Sequence, residues 1–283
     1  MLVAGALFAI MGAFAKSLAG QFTGAELSFY RCAVGLIAVG AFVIGRRQSL
    51  VTPFWKGHFW RGLTGTISLI AYFYAMTKLP LATAITLNYT SPIWLTLLST
   101  ALLRERFQPR LLLAIALGFV GVVLLLRPTL TPENLHDGLI GLASGFFAAC
   151  AYINVKKLGD AGEPEWRVVF YFAVAGSVGS GLLQAALGDF HPVTMPAIGP
   201  LLGMGLCATL AQLAMTRAYH SGNTLVVGAF AYSTVIFASL AGIFWFDELL
   251  PPLAWVGMAI IIFSGLLAKR VSSNKPALPV EAD

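Results

Sequence analysis

The sequence predicts an all-α membrane protein of ten transmembrane helices, arranged as two inverted five-helix repeats. Three observations carry that expectation. The 283-residue chain is 58% hydrophobic and only 11% charged, too little polar surface for a soluble globule of that length. Its apolar residues fall into ten runs, each near the length a hydrocarbon core requires. Glu105 and Glu248 close two of those runs 143 residues apart, and each is followed four positions later by a proline, Pro109 and Pro252. Sliding residues 62–127 onto 205–270 without a gap gives 13 identities in 66 positions, among them Gly62, Thr66, Tyr89, Ile93 and Pro109. About 6 are expected by chance in so Leu-, Ala- and Gly-rich a chain.

The first run, 2–20, has no basic segment before it and no clear small-residue cleavage site, so it reads as a span and not as a signal peptide. The second, 27–45, carries Arg31 about one turn from its start, with Glu26 just outside. The third, 61–78, ends in the aromatic stretch Tyr72, Phe73 and Tyr74. The fourth, 81–103, contains Pro92, which cannot donate a helical hydrogen bond and frees the carbonyl of Asn88. The fifth, 109–127, starts on Pro109, a residue suited to a first helical turn.

The polar stretch Thr129–Asp137, flanked and punctuated by Pro128 and Pro132, divides the chain into five spans and five. The sixth run, 138–157, holds Tyr152 and Asn154; the seventh is 167–187; the eighth, 196–219, holds Gln212. The ninth, 222–246, repeats the tyrosine of the fourth at Tyr232, followed by Ser233 and Thr234, but has Val235 where the fourth has proline. The tenth, 251–269, again begins at a proline, Pro252. Residues 1–127 and 138–270 are the two expected repeats, and 271–283 form a polar cytoplasmic tail. All spans should be helical, since lipid cannot satisfy open backbone groups. Five is an odd number, so the second copy enters the membrane upside down, an arrangement usual in secondary transporters.

A formal net charge of +6 raises the question of nucleic acid, but the bases are distributed by loop. With a cytoplasmic N-terminus, fourteen Lys and Arg, including Arg46, Arg47, Lys56, Arg61, Arg104 and Arg167, fall on the inner side and only Lys78 and Arg127 on the outer. The positive-inside rule accounts for this pattern, with both termini cytoplasmic. A bilayer is therefore the expected partner and nucleic acid is not. Cys32, Cys150 and Cys207 are scattered without metal-ligand spacing, and His58, His136, His191 and His220 lie in loops, so no metal or cofactor is expected. Paired glycines such as Gly62 and Gly65, or Gly141 and Gly145, fit close helix packing.

Polar groups at membrane depth are the candidates for function. Asn88, Tyr89, Thr90 and Ser91 surround the expected kink, and Tyr232 with Ser233 occupies the equivalent place in the ninth span. Such groups either line a wet cavity or bond neighbouring helices. Gln212, Tyr74, Tyr152 and Asn154 are further cavity candidates, and Leu97, on the fourth span, is expected to serve packing. Arg31 and Lys16 either snorkel to the headgroups or form a positive patch that attracts an anion, with Glu26 near enough to pair with either. Glu105 and Glu248 fit proton coupling or, more simply, the start of the helix that follows each of them.

Ten spans in two inverted fives, Tyr72-Phe73-Tyr74-Ala75 followed by Asn88-Tyr89-Thr90-Ser91-Pro92, and a glutamate closing the fourth and ninth spans resemble the EamA branch of the drug/metabolite transporter superfamily. The resemblance covers nearly the whole chain and implies an inner-membrane carrier of small organic metabolites, often an exporter. Alternating access around Asn88, Tyr89 and Tyr232 is the expected mechanism, and the absence of a Walker motif argues against direct use of ATP. With no central Asp or Glu, amino acids or organic acids are favoured over cations. A membrane-embedded enzyme acting on a lipid or polyprenyl substrate, and a receptor-like protein, remain as alternatives. Proton or counter-solute coupling and a homodimer stay open.

Overall fold

A computed structural model of the chain describes residues 1–18, 20–79, 81–102, 108–127, 132–247 and 251–273. Glu105, Glu248 and most of the expected tail lie outside the described residues. Twelve α-helices are found among them: α1 Leu2–Ser17, α2 Gly24–Gly45, α3 Trp55–Lys78, α4 Leu81–Asn88, α5 Ser91–Leu102 and α6 Pro109–Leu126, then α7 Leu135–Asp160, α8 Glu165–Leu187, α9 Met195–Ser221, α10 Thr224–Ala231, α11 Ser233–Phe246 and α12 Pro252–Ser273. The third and sixth runs are longer than expected, because α3 begins six residues early and α7 extends at both ends. Pro109 and Pro252 open α6 and α12, where a missing N–H leaves no helical bond unmade.

The fourth and ninth runs are each two helices, broken at Tyr89–Thr90 and at Tyr232. Those tyrosines are matched by the 143-residue offset. At the first break Pro92 cannot reach back to Asn88; at the second, without proline, Ser233 Oγ donates to the Phe230 carbonyl at 2.7 Å and the Tyr232 amide reaches the Ala229 carbonyl at 3.4 Å. Each break packs on a glycine. A Cβ on Gly145 of α7 would stand 2.8 and 2.9 Å from the carbonyls of Leu87 and Asn88, and one on Gly5 of α1 would meet Ser233 and Thr234.

Among the described residues, seven segments are long and apolar enough to cross a membrane: α2, α6, α7, α8, α9, α10 with α11, and α12. At 1.5 Å per residue, α1 is about 24 Å long, just under a hydrocarbon thickness. Large apolar side chains face outward all round the bundle, with Phe244 81% exposed, while Ser28, Ser99, Ser144, Ser180 and Ser264 are buried inside. A shell of this kind is soluble in lipid and not in water, so the chain is a multi-pass membrane protein.

Helix pairing is reciprocal between the two halves. α3 packs on α7 as α1 packs on α9, α5 on α7 as α11 on α1, and α3 on α8 as α9 on α2. The matching reaches single residues. Gly62 of α3 lies against Ala175 of α8, and its offset partner Gly205 of α9 lies against Val34 of α2. Thr66 of α3 covers Gly179 of α8, and its offset partner Thr209 covers Gly35 of α2. Glycine permits these backbones to approach where lipid supplies no hydrophobic drive between helices. The pairs α2–α8 and α6–α12 join the halves directly, through a Ser28–Ser180 hydrogen bond of 2.8 Å in the first and the near-touching backbones of Gly121 and Gly257 in the second.

Candidate functional site

Between the halves lies a cavity of about 870 Å³. Its deep end is set by Arg61 of α3, Tyr152 of α7, and Gln212 and Met215 of α9; from there it extends to Lys16, Gly24, Met76, Leu126 and Phe246, at the ends of five helices. The walls between are largely aromatic and aliphatic, with Phe8, Tyr72, Tyr89 and Phe172 among them. A concave, mostly apolar space with a few convergent polar groups is the usual form of a small-molecule site.

Four of the expected site residues line it: Arg31, Asn88, Tyr89 and Gln212. Asn88 ends α4, and its amide donates to Ser144 Oγ at 3.0 Å, which fixes the side chain at the break. Gln212 is buried with its Nε2 unpartnered, a donor left available toward the cavity. Thr234 lines the wall from α11 beside Tyr89.

The other five stand outside the lining. Tyr232 is fully buried in an aliphatic cluster of α6, α10, α11 and α12, its ring 6.4 Å from that of Tyr89 and closely packed on Gly118. Tyr89 therefore reaches the cavity while Tyr232 supports it from behind. Thr90 Oγ1 and Ser233 Oγ donate to local carbonyls, those of Leu87 and Phe230, and Ser91 is buried at the start of α5. Tyr74 points toward the start of α7, where its hydroxyl donates to Asp137 at 2.9 Å. Of the other two candidates in α7, Tyr152 lines the cavity, whereas Asn154 donates to the Cys150 carbonyl of its own helix.

Arg31 departs from the snorkelling alternative. It sits two turns inside α2, 8% exposed, with its guanidinium 5.9 Å from the Phe8 ring. The expected pairing of Glu26 with Arg31 or Lys16 does not occur. Glu26 is the third residue of α2, and its carboxylate turns back to the helix start: Oε2 accepts the Thr23 amide at 2.7 Å, and the buried group also takes the His191 backbone and ring. That capping box consumes the one acid of α2.

Arg61 is the residue that the sequence reading misplaced. Counted there as an inner-loop charge, it is 2% exposed and lines the deep end of the cavity. Its guanidinium lies 4.1 Å from the Phe172 ring, and its Nε and Nη1 have no hydrogen-bond partner. Among the described residues that line the cavity, which include Lys16, Arg31 and Arg61, there is no Asp or Glu. The signal available in the sequence was Gly65, four residues on, whose missing Cβ leaves the space that the guanidinium occupies.

Past the deep end the bundle is closed. Tyr152 stacks on Tyr219 with ring centroids 5.0 Å apart, over the buried Ile153, Val155, Leu158 and Val168. Beyond these, buried Glu163, between α7 and α8, accepts from Thr52 and from Arg167 at 3.0 Å and faces His58 Nε2 at 3.3 Å. Arg167 also donates to the Ser49 carbonyl at 2.8 Å, so the α2–α3 loop is clamped to the start of α8.

Comparison with known proteins agrees with this architecture. Residues 1–127 match the model of the EamA-like transporter family. An uncharacterized transporter of Helicobacter pylori J99 is 30% identical over 94% of this chain and 92% of its own. A pseudopaline exporter of Pseudomonas aeruginosa is 28% identical over 94% and 93%, and a riboflavin transporter of Vibrio cholerae 30% identical over 93% and 89%. One solved crystal structure superposes with a TM-score of 0.82 over 96% of both chains at 20% identity, which speaks for the fold alone.

Proposed function

This chain belongs to the EamA-like transporter family, and on that premise we propose that it is a secondary transporter that carries a small organic acid or amino acid across the cytoplasmic membrane, in the direction of export, by alternating access. The observation that carries the proposal is the central cavity itself, closed at one end, lined among the described residues by Arg31 and Arg61 and no acid, and furnished with unpartnered donors on Arg61 and Gln212. A cationic solute would find no counter-ion among the described residues there, whereas a carboxylate would find several donors.

The ten-span inverted repeat belongs to the same reading. It is supported by the reciprocal helix pairing, by the glycine and threonine contacts that recur at the 143-residue offset, and by the matched helix breaks at Tyr89 and Tyr232. Repeats related this way give two packings of similar energy, one open to each side. With both termini cytoplasmic, the cavity mouth at Lys16, Met76 and Phe246 faces outward, and the Tyr152–Tyr219 stack with the Glu163 clamp closes the inner side. The described state is then outward-facing.

The test is uptake into proteoliposomes across a panel of organic acids, amino acids and quaternary ammonium compounds. The reading requires saturable uptake of at least one anionic or zwitterionic solute. Saturable uptake confined to permanent cations would overturn the substrate class. Absence of flux for every solute, together with turnover of a lipid or polyprenyl substrate, would replace the carrier by an enzyme.

A further inference from the structure

The Arg61 guanidinium is a buried charge for which the described residues provide no counter-ion. Gly65 makes its position available, since a Cβ there would collide with Nη1 and also stand 2.9 Å from the Phe172 ring. Arg31 is close enough for the two charges to repel each other, and Tyr152 lies near both. Glu26, the nearest acid on α2, is already bound to Thr23 and His191. An unpaired ion removed from water is costly even after the protein relaxes, and two of like sign in one cavity add to that penalty. A protein that keeps both offers their charge to an anion. One monoanion would leave the second guanidinium unmatched, while two negative charges neutralise both. Each guanidinium presents a planar fork of N–H groups that suits carboxylate or phosphate oxygens, a geometry that lysine lacks.

We infer that Arg31 and Arg61 together form a dianion receptor, so that the preferred solute carries two negative charges on a small organic body. The inference rests on the carrier reading of the cavity. Two carboxylates and one phosphate monoester offer the same chemistry to this pair. The rings of Tyr72, Tyr89 and Phe172 and the cavity volume of about 870 Å³ leave room for the body that bears them.

The test uses the full chain in neutral-lipid nanodiscs, titrated calorimetrically at neutral pH with the linear dicarboxylates from succinate to pimelate, their monomethyl esters, their diamides, and inorganic phosphate. At least one dianion is expected to bind about tenfold more tightly than its singly charged or neutral counterpart, a difference of about 1.4 kcal/mol. Tighter binding of a dicarboxylate, or of phosphate, assigns the source of the charge. Arg61→Gln should abolish the preference, and Arg61→Lys should restore it only in part. Gly65→Ala, which keeps the charge but fills its space, should weaken dianion binding several-fold, and this variant with Arg31→Gln carries the test if Arg61→Gln fails to fold. Equal affinity for dianion and monoester, no dianion binding, or a preference that survives these variants overturns the receptor. Saturable uptake of other solutes without dianion preference would refute the receptor and leave the carrier standing, whereas no saturable flux for any solute would remove the carrier itself.

Discussion

At the scale of single residues, a cavity group and a packing group are told apart by what they touch. Asn88 is held by Ser144 and faces the cavity, so Asn88→Ala and Tyr89→Ala should abolish transport while membrane expression stays near normal, measured by uptake beside quantitative blotting. Leu97 was the expected structural control, but it is 46% exposed and faces the lipid, so Leu97→Ala should change neither quantity. The control is Leu95, which is fully buried; its truncation to Ala should destabilise the bundle by about 2–5 kcal/mol. The Glu163 clamp predicts a pH response. Burial alone pushes Glu163 up, but the hydrogen bonds from Thr52 and Arg167 and the charges of Arg167 and His58 outweigh it and hold the carboxyl below its ordinary 4.5. Burial lowers His58 below its ordinary 6.5, against the pull of Glu163. Both folded values lie below the unfolded ones, so the stability contributed by His58 is complete above about pH 6.5 and falls as the pH drops below it, and that of Glu163 falls only below about 4.5. The thermal midpoint should therefore decline between about pH 7 and pH 5.5, and His58→Gln should flatten that decline. Asn88, Tyr89, Gln212 and Arg31 were legible because polar groups inside apolar runs are rare. Arg61 was not, because a base near a span end is usually a topology signal, and only the packing of α3 on α8 shows it turned inward over Gly65.

The helices carry a different lesson. Pro92 announced the break in the fourth run, since it removes a hydrogen bond whose loss can be read from one letter. The break at Tyr232 had no such letter, as it arises from a serine side chain taking the Phe230 carbonyl and from Gly5 of another helix packing close beside it. Because the second break forms without proline, Pro92→Ala should retain transport within about threefold, the proline adding the loss of one bond to a break that packing already imposes. Gly145 is the stricter requirement. A Val there would drive its Cβ into the Leu87 and Asn88 carbonyls, and unfolding of the purified protein should show about 1–3 kcal/mol of destabilisation, with transport reduced. Unchanged stability in Gly145→Val would mean that the α7 contact does not shape the break.

At the scale of the whole molecule, composition gave the membrane, and the 143-residue offset is what suggests a repeat. The offset reappears in three dimensions, where Gly62 and Gly205 meet α8 and α2 in the same way. The cavity was less legible, because its shape depends on which faces of nine helices turn inward, and hydropathy does not resolve that for helices that are apolar on every side. The charge distribution fixes the expected orientation. Reporter fusions after Pro132 and within Asp189–Thr194 should report the periplasm, and fusions after Arg47 and Ser273 the cytoplasm. A periplasmic C-terminus would contradict both the ten-span count and the inverted repeat. The central claim, that a solute bound between two repeats is exposed to each side in turn, is tested most directly by counterflow in proteoliposomes. Vesicles loaded with an unlabelled transported solute should accumulate its labelled form transiently and several-fold faster than empty vesicles, and Asn88→Ala should abolish the effect. Flux that is insensitive to solute on the opposite side, in the wild type as in Asn88→Ala, would show a pore or a leak where the account requires a carrier.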